Sequence, residues 1–241
     1  MAQYFAADYS GGPFVILSPP HVAALAAVLL LNLALSRFRG ADENRRRYVR
    51  WTLACALWGA EISWHVWNLA VGTWAVQTML PLNICSLLIW LSAIMLIRQD
   101  RTIYEFAYFL GIGGALQYLA TPDLGIYGFP HFRFFQTFLS HGLLLTAPVY
   151  MTVAEGFRPT WTSLIRVTAW TNIYMVAVYL FNTFIGSNYL MLNAKPVTPS
   201  LLDLLPQWPD YIVYMELIGI VTLLCLYLPF FVDDRRAAKE T

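Results

Sequence analysis

Residues 20–37 read PHVAALAAVLLLNLALSR, a run broken only by His21, Asn32 and Ser36 that ends on Arg37. A helix crosses the hydrocarbon core of a bilayer in about 20 residues, so this stretch has the length and character of a membrane span. Six further stretches fit the same ruler, near 51–71, 81–98, 103–121, 132–154, 167–185 and 211–231. Together they predict an all-α, polytopic membrane protein: seven transmembrane helices in a single domain, 1–241, with no internal repeat and no separate soluble part.

Composition agrees with that fold. Of the 241 residues, 59% are hydrophobic, 16% aromatic and only 12% charged, and the mean hydropathy is +0.56. An average soluble domain carries about 25% charged residues. The net charge of +1 says nothing of partners, because in such a chain the placement of charges matters and not their sum; no basic nucleic-acid footprint is present, and no nucleic-acid partner is expected. Cys55, Cys85 and Cys225 all lie in apolar stretches, which argues against a disulfide framework of the secreted kind. The N-terminus, MAQYFAADYSGGPF, lacks a positive n-region, so the first span is expected to remain in place rather than to be cleaved.

The charges also give a direction. Arg37, Arg39, Arg45, Arg46, Arg47, Arg50, Arg98, Arg101, Arg158, Arg166, Arg235, Arg236 and Lys239 fall on one side of the predicted spans, and only Arg133 and Lys195 on the other. Positive residues collect on the cytoplasmic side, so the N-terminus is expected outside and the C-terminus in the cytoplasm. The outer connections, 121–133 and 185–210, are long and rich in Gly, Pro, Asn and aromatics, and suit an ordered rim. Tyr48, Trp51, Trp74, Tyr127, Trp208 and Tyr211 lie near span ends, where amphipathic rings anchor a bundle.

Polar side chains inside the spans are costly and mark function by default. The second span sets Glu61, His65 and Asn68 at i, i+4 and i+7, on one helix face. Others are Asn83, Cys85 and Ser86 in the third span, Gln117 in the fourth, Gln136, Ser140 and His141 in the fifth, Asn172 and Asn182 in the sixth, and Glu216 in the seventh. At a rise of about 1.5 Å per residue, His65, Cys85, Gln117, Asn182 and Glu216 lie about 5–10 Å below the outer ends of their spans, with His141 about 13 Å down. Such a layer suggests a cavity open outward or toward the outer leaflet, with Glu61 as its floor. Any one Asn, Gln, Ser or Thr in it also serves as interhelical glue at about 1 kcal/mol, and Cys55 and Cys225 read as small apolar fillers.

Cys85 stands apart because histidines and carboxylates share its layer. A thiol becomes a nucleophile as the thiolate, which needs a base, and His141 and His65 both have the depth to supply one. A metal site is disfavoured, since no HxxxH, HExxH or CxxC spacing arranges His65, His141, Cys85 and Glu61 as ligands; neither metal nor cofactor is expected. The seventh span has no lysine for a retinal Schiff base. Glu61, His65 and Glu216 also suit a proton-coupled transporter or a non-catalytic lipid- or small-ligand-binding protein, the rival reading.

Five stretches, LPLNICS (80–86), IYEFAYFLGIGGALQYLATPDL (103–124), YGFPHFRFFQTFLSHG (127–142), GSNYLMLNAKP (186–196) and SLLDLLPQWPDYI (200–212), together resemble the YwaF-like bacterial integral membrane proteins over nearly the whole chain. That family is similar to an animal transmembrane acyltransferase that remodels ether phospholipids, and more remotely to the membrane threonine hydrolases of the androgen-induced protein group. By position the resemblance implies Cys85 as nucleophile and His141 as base; the threonine hydrolases would carry a hydroxyl where this chain has its thiol. The expectation is therefore a lipid acyltransferase or lipase-like enzyme of a bacterial cytoplasmic membrane, acting on a phospholipid or lysophospholipid through a cysteine acyl-enzyme. Asn83, Gln136 or Asn182 would donate to the oxyanion. His65 with Glu61 would support the site or act as an alternative base, and Asp123, His131 and Arg133 would face a headgroup at the rim. The oligomeric state is not legible.

Overall fold

The computed structural model describes residues 2–196 and 201–240. Residues 197–200 of the expected outer loop, and the Lys239 side chain, lie outside the described residues. Those described form helices and their connections, with no strand among them.

Seven long helical segments cover the stretches read as spans. Helix α1 (Pro19–Leu35) starts on two prolines in its first turn, where the missing N–H costs nothing. Helix α2 (Glu43–Ala70) begins where the Asp42 carboxylate accepts from Arg45 N at 3.0 Å. Helix α3 (Ile84–Arg98) is followed by Asp100, which caps the next helix by accepting from Ile103 N at 3.0 Å. That next helix, α4, runs as Arg101–Phe106, a π turn over Ala107–Gly111, and Ile112–Ala120. Helix α5 (Phe132–Val153) follows, capped by His131. Helix α6 (Trp161–Ile185) opens on a reciprocal Thr160–Ser163 cap and closes on Gly186, whose φ of 67° a side chain would strain. Helix α7 (Tyr211–Glu240) completes the set.

Pro19–Phe38, Trp161–Ile185 and Tyr211–Arg236 are each long and apolar enough to cross a membrane. Their flanks carry exposed apolar side chains, among them Leu30, Ile173, Leu180, Phe184 and Val221, as lipid-facing helices should. Helices α2, α4 and α5 are about 30–42 Å long at 1.5 Å per residue, but their apolar character is diluted by the very residues that build the site below.

The chain divides into two compact units. The first takes the residues up to Trp74 together with Cys85–Phe157. Helix α5 is its centre and packs on α1, α2 and α4. The α1–α5 approach is close because Gly142 has no side chain: a Cβ there would stand 2.7 Å from Val28 Cγ2. An apolar groove of about 600 Å³ opens along the same seam, between Pro19–Leu31 and Phe134–Leu143. The segment preceding α1 is strapped to the end of α2 and to the 121–131 connection. Trp67 Nε1 donates to Phe5 O at 2.8 Å, Tyr127 Oη to Ala7 O at 2.9 Å, and Phe14 N to Gly125 O at 3.0 Å. At the opposite end of the unit, Arg50 is buried and pairs with Glu155 and, at 2.7 Å, with Glu43.

The second unit comprises Ala75–Ile84 and Arg158 onward. Helices α6 and α7 pack together, and the buried Tyr189 accepts from Leu80 N at 2.9 Å while donating to Val76 O at 2.6 Å. Of the rings expected at membrane interfaces, Tyr48, Trp51 and Trp208 are exposed, whereas Tyr211 is fully buried and donates to Met191 O.

Candidate functional site

The first unit gathers the polar layer of α2, α3, α4 and α5. On α2, Glu61 is only 3% exposed and lies 3.8 Å from His65 Nε2, too far for a hydrogen bond. Trp74 Nε1–H donates to His65 Nδ1 at 3.0 Å. Indole nitrogen is only ever a donor, so the neutral His65 ring carries its proton on Nε2, toward Glu61. Asn68, third in the expected stripe, instead closes its own helix: its amide donates to Trp64 O at 2.9 Å and accepts from Thr73 Oγ1 at 2.8 Å.

His141 has the opposite tautomer. Its Nδ1 lies 3.1 Å from the Thr137 carbonyl, which can only accept, so the proton sits on Nδ1 and the Nε2 lone pair is left without a partner among the described residues. Ser140 Oγ, 3.2 Å from the same nitrogen, donates to Thr137 O as well. The imidazole lies flat on the Tyr118 ring, with centroids 4.0 Å apart and planes 11° apart. His21 and His131 are wired the other way: each accepts a backbone N–H at Nδ1, from Leu17 and Arg133, and gives its Nε2 proton to a carbonyl, Leu119 O at 2.9 Å and Ala6 O at 3.1 Å. Of the four histidines, His141 alone presents an unprotonated, unengaged ring nitrogen among the described residues.

Cys85 enters from α3. Its sulfur rests on Gly114 of α4, where a Cβ would come within 3.2 Å of Sγ. Gly114 and Tyr118 are four apart and share a face of α4, so the thiol and the imidazole are both carried by that face, the thiol on the glycine and the imidazole on the phenol ring. Cys85 also lies within electrostatic reach of Glu61 and Tyr118. Cys55 and Cys225 are exposed on their helices.

Arg133 is a clasp between helices. Its guanidinium stacks on Trp64 with Cζ 3.6 Å from the ring centroid, donates to Gln136 Oε1 at 2.7 Å, and bears on the Tyr118 hydroxyl. Gln136 Nε2 reaches Ala60 O at 3.4 Å, so that amide ties α5 to α2. Tyr118 Oη also donates to the carbonyl of Asp123 at 3.3 Å. The headgroup role expected for His131 meets a physical obstacle, because the ring is fully buried and both nitrogens are spent on backbone. Gln117, expected in the polar layer, is exposed; its neighbour Tyr118 takes the inward place.

The second unit holds the remaining candidates. Asn182 is consumed by the loop after α6: its amide donates to Tyr189 O and Asn193 Oδ1, each at 2.9 Å, and its oxygen accepts from Tyr189 N at 2.9 Å and Ser187 Oγ at 2.7 Å. Both amide protons are committed, which removes it as an oxyanion donor. Asn83 Oδ1 accepts from Leu190 N at 3.0 Å. Glu216 accepts from Asn172 Nδ2 at 2.7 Å. Among the described residues no group of three or more His, Cys, Asp or Glu is arranged to hold a metal ion.

Sequence reasoning missed Tyr118 and Gly114. The available signal was the small-to-aromatic step at i, i+4 in GGALQY (113–118), on the same helix as the selected Gln117.

Described residues that are helical throughout, with three helices long and apolar enough to cross a membrane, define an integral membrane protein. The chain matches the model of the TMEM164 family over residues 16–227 and belongs to that family. No curated protein and no solved structure matches it.

Proposed function

We propose that the chain is a membrane-embedded lipid acyltransferase that works through a cysteine acyl-enzyme, with seven crossings and an external N-terminus, in the cytoplasmic membrane of a bacterium. The observation that carries the reading is the His141 tautomer: Nδ1–H bound to the Thr137 carbonyl and Nε2 open, on the face of α4 that also bears the Cys85 thiol. The resemblance of LPLNICS and SHG to the YwaF-like proteins and their acyltransferase relatives points the same way.

In this mechanism His141 Nε2 takes the Cys85 proton, and the thiolate sulfur bonds to the acyl carbonyl carbon of a phospholipid. As the tetrahedral intermediate collapses, the ester C–O bond breaks and the departing lysolipid oxygen receives the proton from Nε2. An acceptor lysophospholipid hydroxyl then gives its proton to Nε2 and attacks the thioester. The C–S bond breaks, and the thiolate recovers the proton. Gln136 is the remaining amide of this unit within the layer and would donate to the oxyanion.

The test is mass spectrometry of the Cys85 peptide after incubation with bacterial phospholipid. A hydroxylamine-labile acyl adduct is expected, absent in Cys85→Ala and strongly reduced in His141→Ala. Lipid remodelling that persists undiminished in Cys85→Ala would overturn the reading.

A further inference from the structure

Tyr118 and His141 are stacked face to face. Centroids 4.0 Å apart with planes 11° apart make a near-parallel stack, one of the arrangements that aromatic pairs favour. The same stack places any charge on the imidazole over a π face, well within the roughly 6 Å at which a ring attracts a cation. His141 carries such a charge only while it holds a second proton, the one it would take from Cys85.

Tyr118 is itself held by its hydroxyl. Its hydroxyl donates to Asp123 O at 3.3 Å and bears on the Arg133 guanidinium. Arg133, the other cation within reach, is drawn onto Trp64, 3.6 Å from the ring centroid, and onto Gln136 at 2.7 Å. The Tyr118 hydroxyl thus meets a fixed positive charge, while its ring face is given to the imidazole. The Thr137 carbonyl, 3.1 Å from Nδ1, fixes the ring's rotation, and the stack fixes its tilt.

We infer that Tyr118 is the positioning residue of this site: it holds the His141 ring plane so that Nε2 faces the thiol, and its π face favours the imidazolium formed when Cys85 is deprotonated. The inference rests on the acyl-transfer reading. It adds a residue that acts through His141 and touches no reacting atom. Catalysis gains only from interactions stronger in the charged state than in the resting one, and a π face under an imidazole is of that kind.

The experiment compares the rate at which a lipid-like chloroacetamide modifies Cys85 at neutral pH in the full chain, in detergent, for wild type, Tyr118→Phe, Tyr118→Leu and His141→Ala. Tyr118→Phe keeps the face and loses only the hydroxyl, so its rate is expected within about threefold of wild type; Tyr118→Leu loses the face and is expected to fall roughly ten- to a hundredfold. Ring-labelled histidine NMR of the wild type supplies a readout that needs no variant. His141 should show the Nδ1–H tautomer and ring protons shifted upfield by the stacked phenol. A Leu variant that reacts like wild type while His141→Ala is slow would overturn the role of Tyr118 and leave the acyl-transfer reading standing. So would a His141 spectrum with the proton on Nε2 and no ring-current shift, should the Leu variant not fold. Indifference of Cys85 to His141→Ala would instead remove the reading on which the inference rests.

Discussion

The Cys85 sulfur lies on the backbone of Gly114, at a distance that leaves no room for a methyl group: a Cβ on Gly114 would stand 3.2 Å from Sγ. Helix α4 therefore sets the position of the thiol by omitting a side chain. Gly114→Ala is expected to push the sulfur aside by a few tenths of an ångström and to slow Cys85 modification several-fold, while a chain of full helicity is still recovered. Misplacement of about 1 Å at a reacting group can cost ~100-fold in rate. Alkylation as fast as in wild type would show that the thiol has freedom to move.

The ion pair between Arg50 and Glu155 has side chains only 4% and 6% exposed. Removing one partner of a buried pair costs about 3–5 kcal/mol where it strands the other charge, whereas replacing both by apolar residues is often neutral; here Arg50 keeps Glu43 at 2.7 Å and Glu155 keeps Arg46 at 3.7 Å, which softens each single loss. Arg50→Met or Glu155→Leu alone is expected to lower the thermal midpoint in detergent, and the double variant to recover much of the loss. Equal losses in single and double variants would mean that the pair matters through packing.

His131, at the N-terminal end of α5, is held below the ordinary histidine value because burial penalises its imidazolium, and the Arg133 charge adds to the effect. The unfolded chain takes up this proton near pH 6.5 and the folded chain only at lower pH, so the unfolded state binds more protons as the pH falls. The contribution is present above about pH 6.5 and lost progressively below it. Wild type is expected to melt at lower temperature as the medium is acidified through that range. His131→Asn, which keeps a helix cap, should show a shallower decline. An identical slope in both proteins would assign the acid sensitivity to other groups.

The proposed topology rests on thirteen basic residues against two. A reporter joined after Thr241 is expected to read cytoplasmic and one inserted near Lys195 to read external. The same compartment for both would leave an even number of crossings between these positions and remove the outward cavity.

Hydropathy and spacing were enough to locate seven helical segments, because burying a helix in lipid imposes a length and a composition that survive in the sequence. Cys85 and His141 stand out in the sequence for a related reason, since ionisable groups in such helices are costly, and the structure sets the thiol on Gly114 and the imidazole on Tyr118, on one face of α4. What resisted reading is the work done by backbone. The strap from Phe5 to Phe14 is held partly by carbonyls and amides, which every sequence supplies. The engagement of Asn182 by the loop at Ser187–Asn193 reveals itself only when the loop closes on it. Gln117 was singled out as the polar side chain of its span, whatever the helical phase, and the structure turns Tyr118 inward instead. The π turn at Ala107–Gly111 alters that phase, and no residue type announces such a turn.

That turn has a consequence for how the gene can change. One extra residue accommodated in a helix leaves everything beyond it about 100° out of step with an unbroken α-helix, so the place now held by Tyr118 is the one that Gln117 would occupy if the helix were regular. A deletion of one codon within 107–111 would straighten the helix and return Tyr118 to its station under His141. A substitution that straightened it at constant length would deliver an amide in place of the phenol. For this stretch the reading frame of the helix is a heritable property in its own right, and losing a residue is milder than exchanging one.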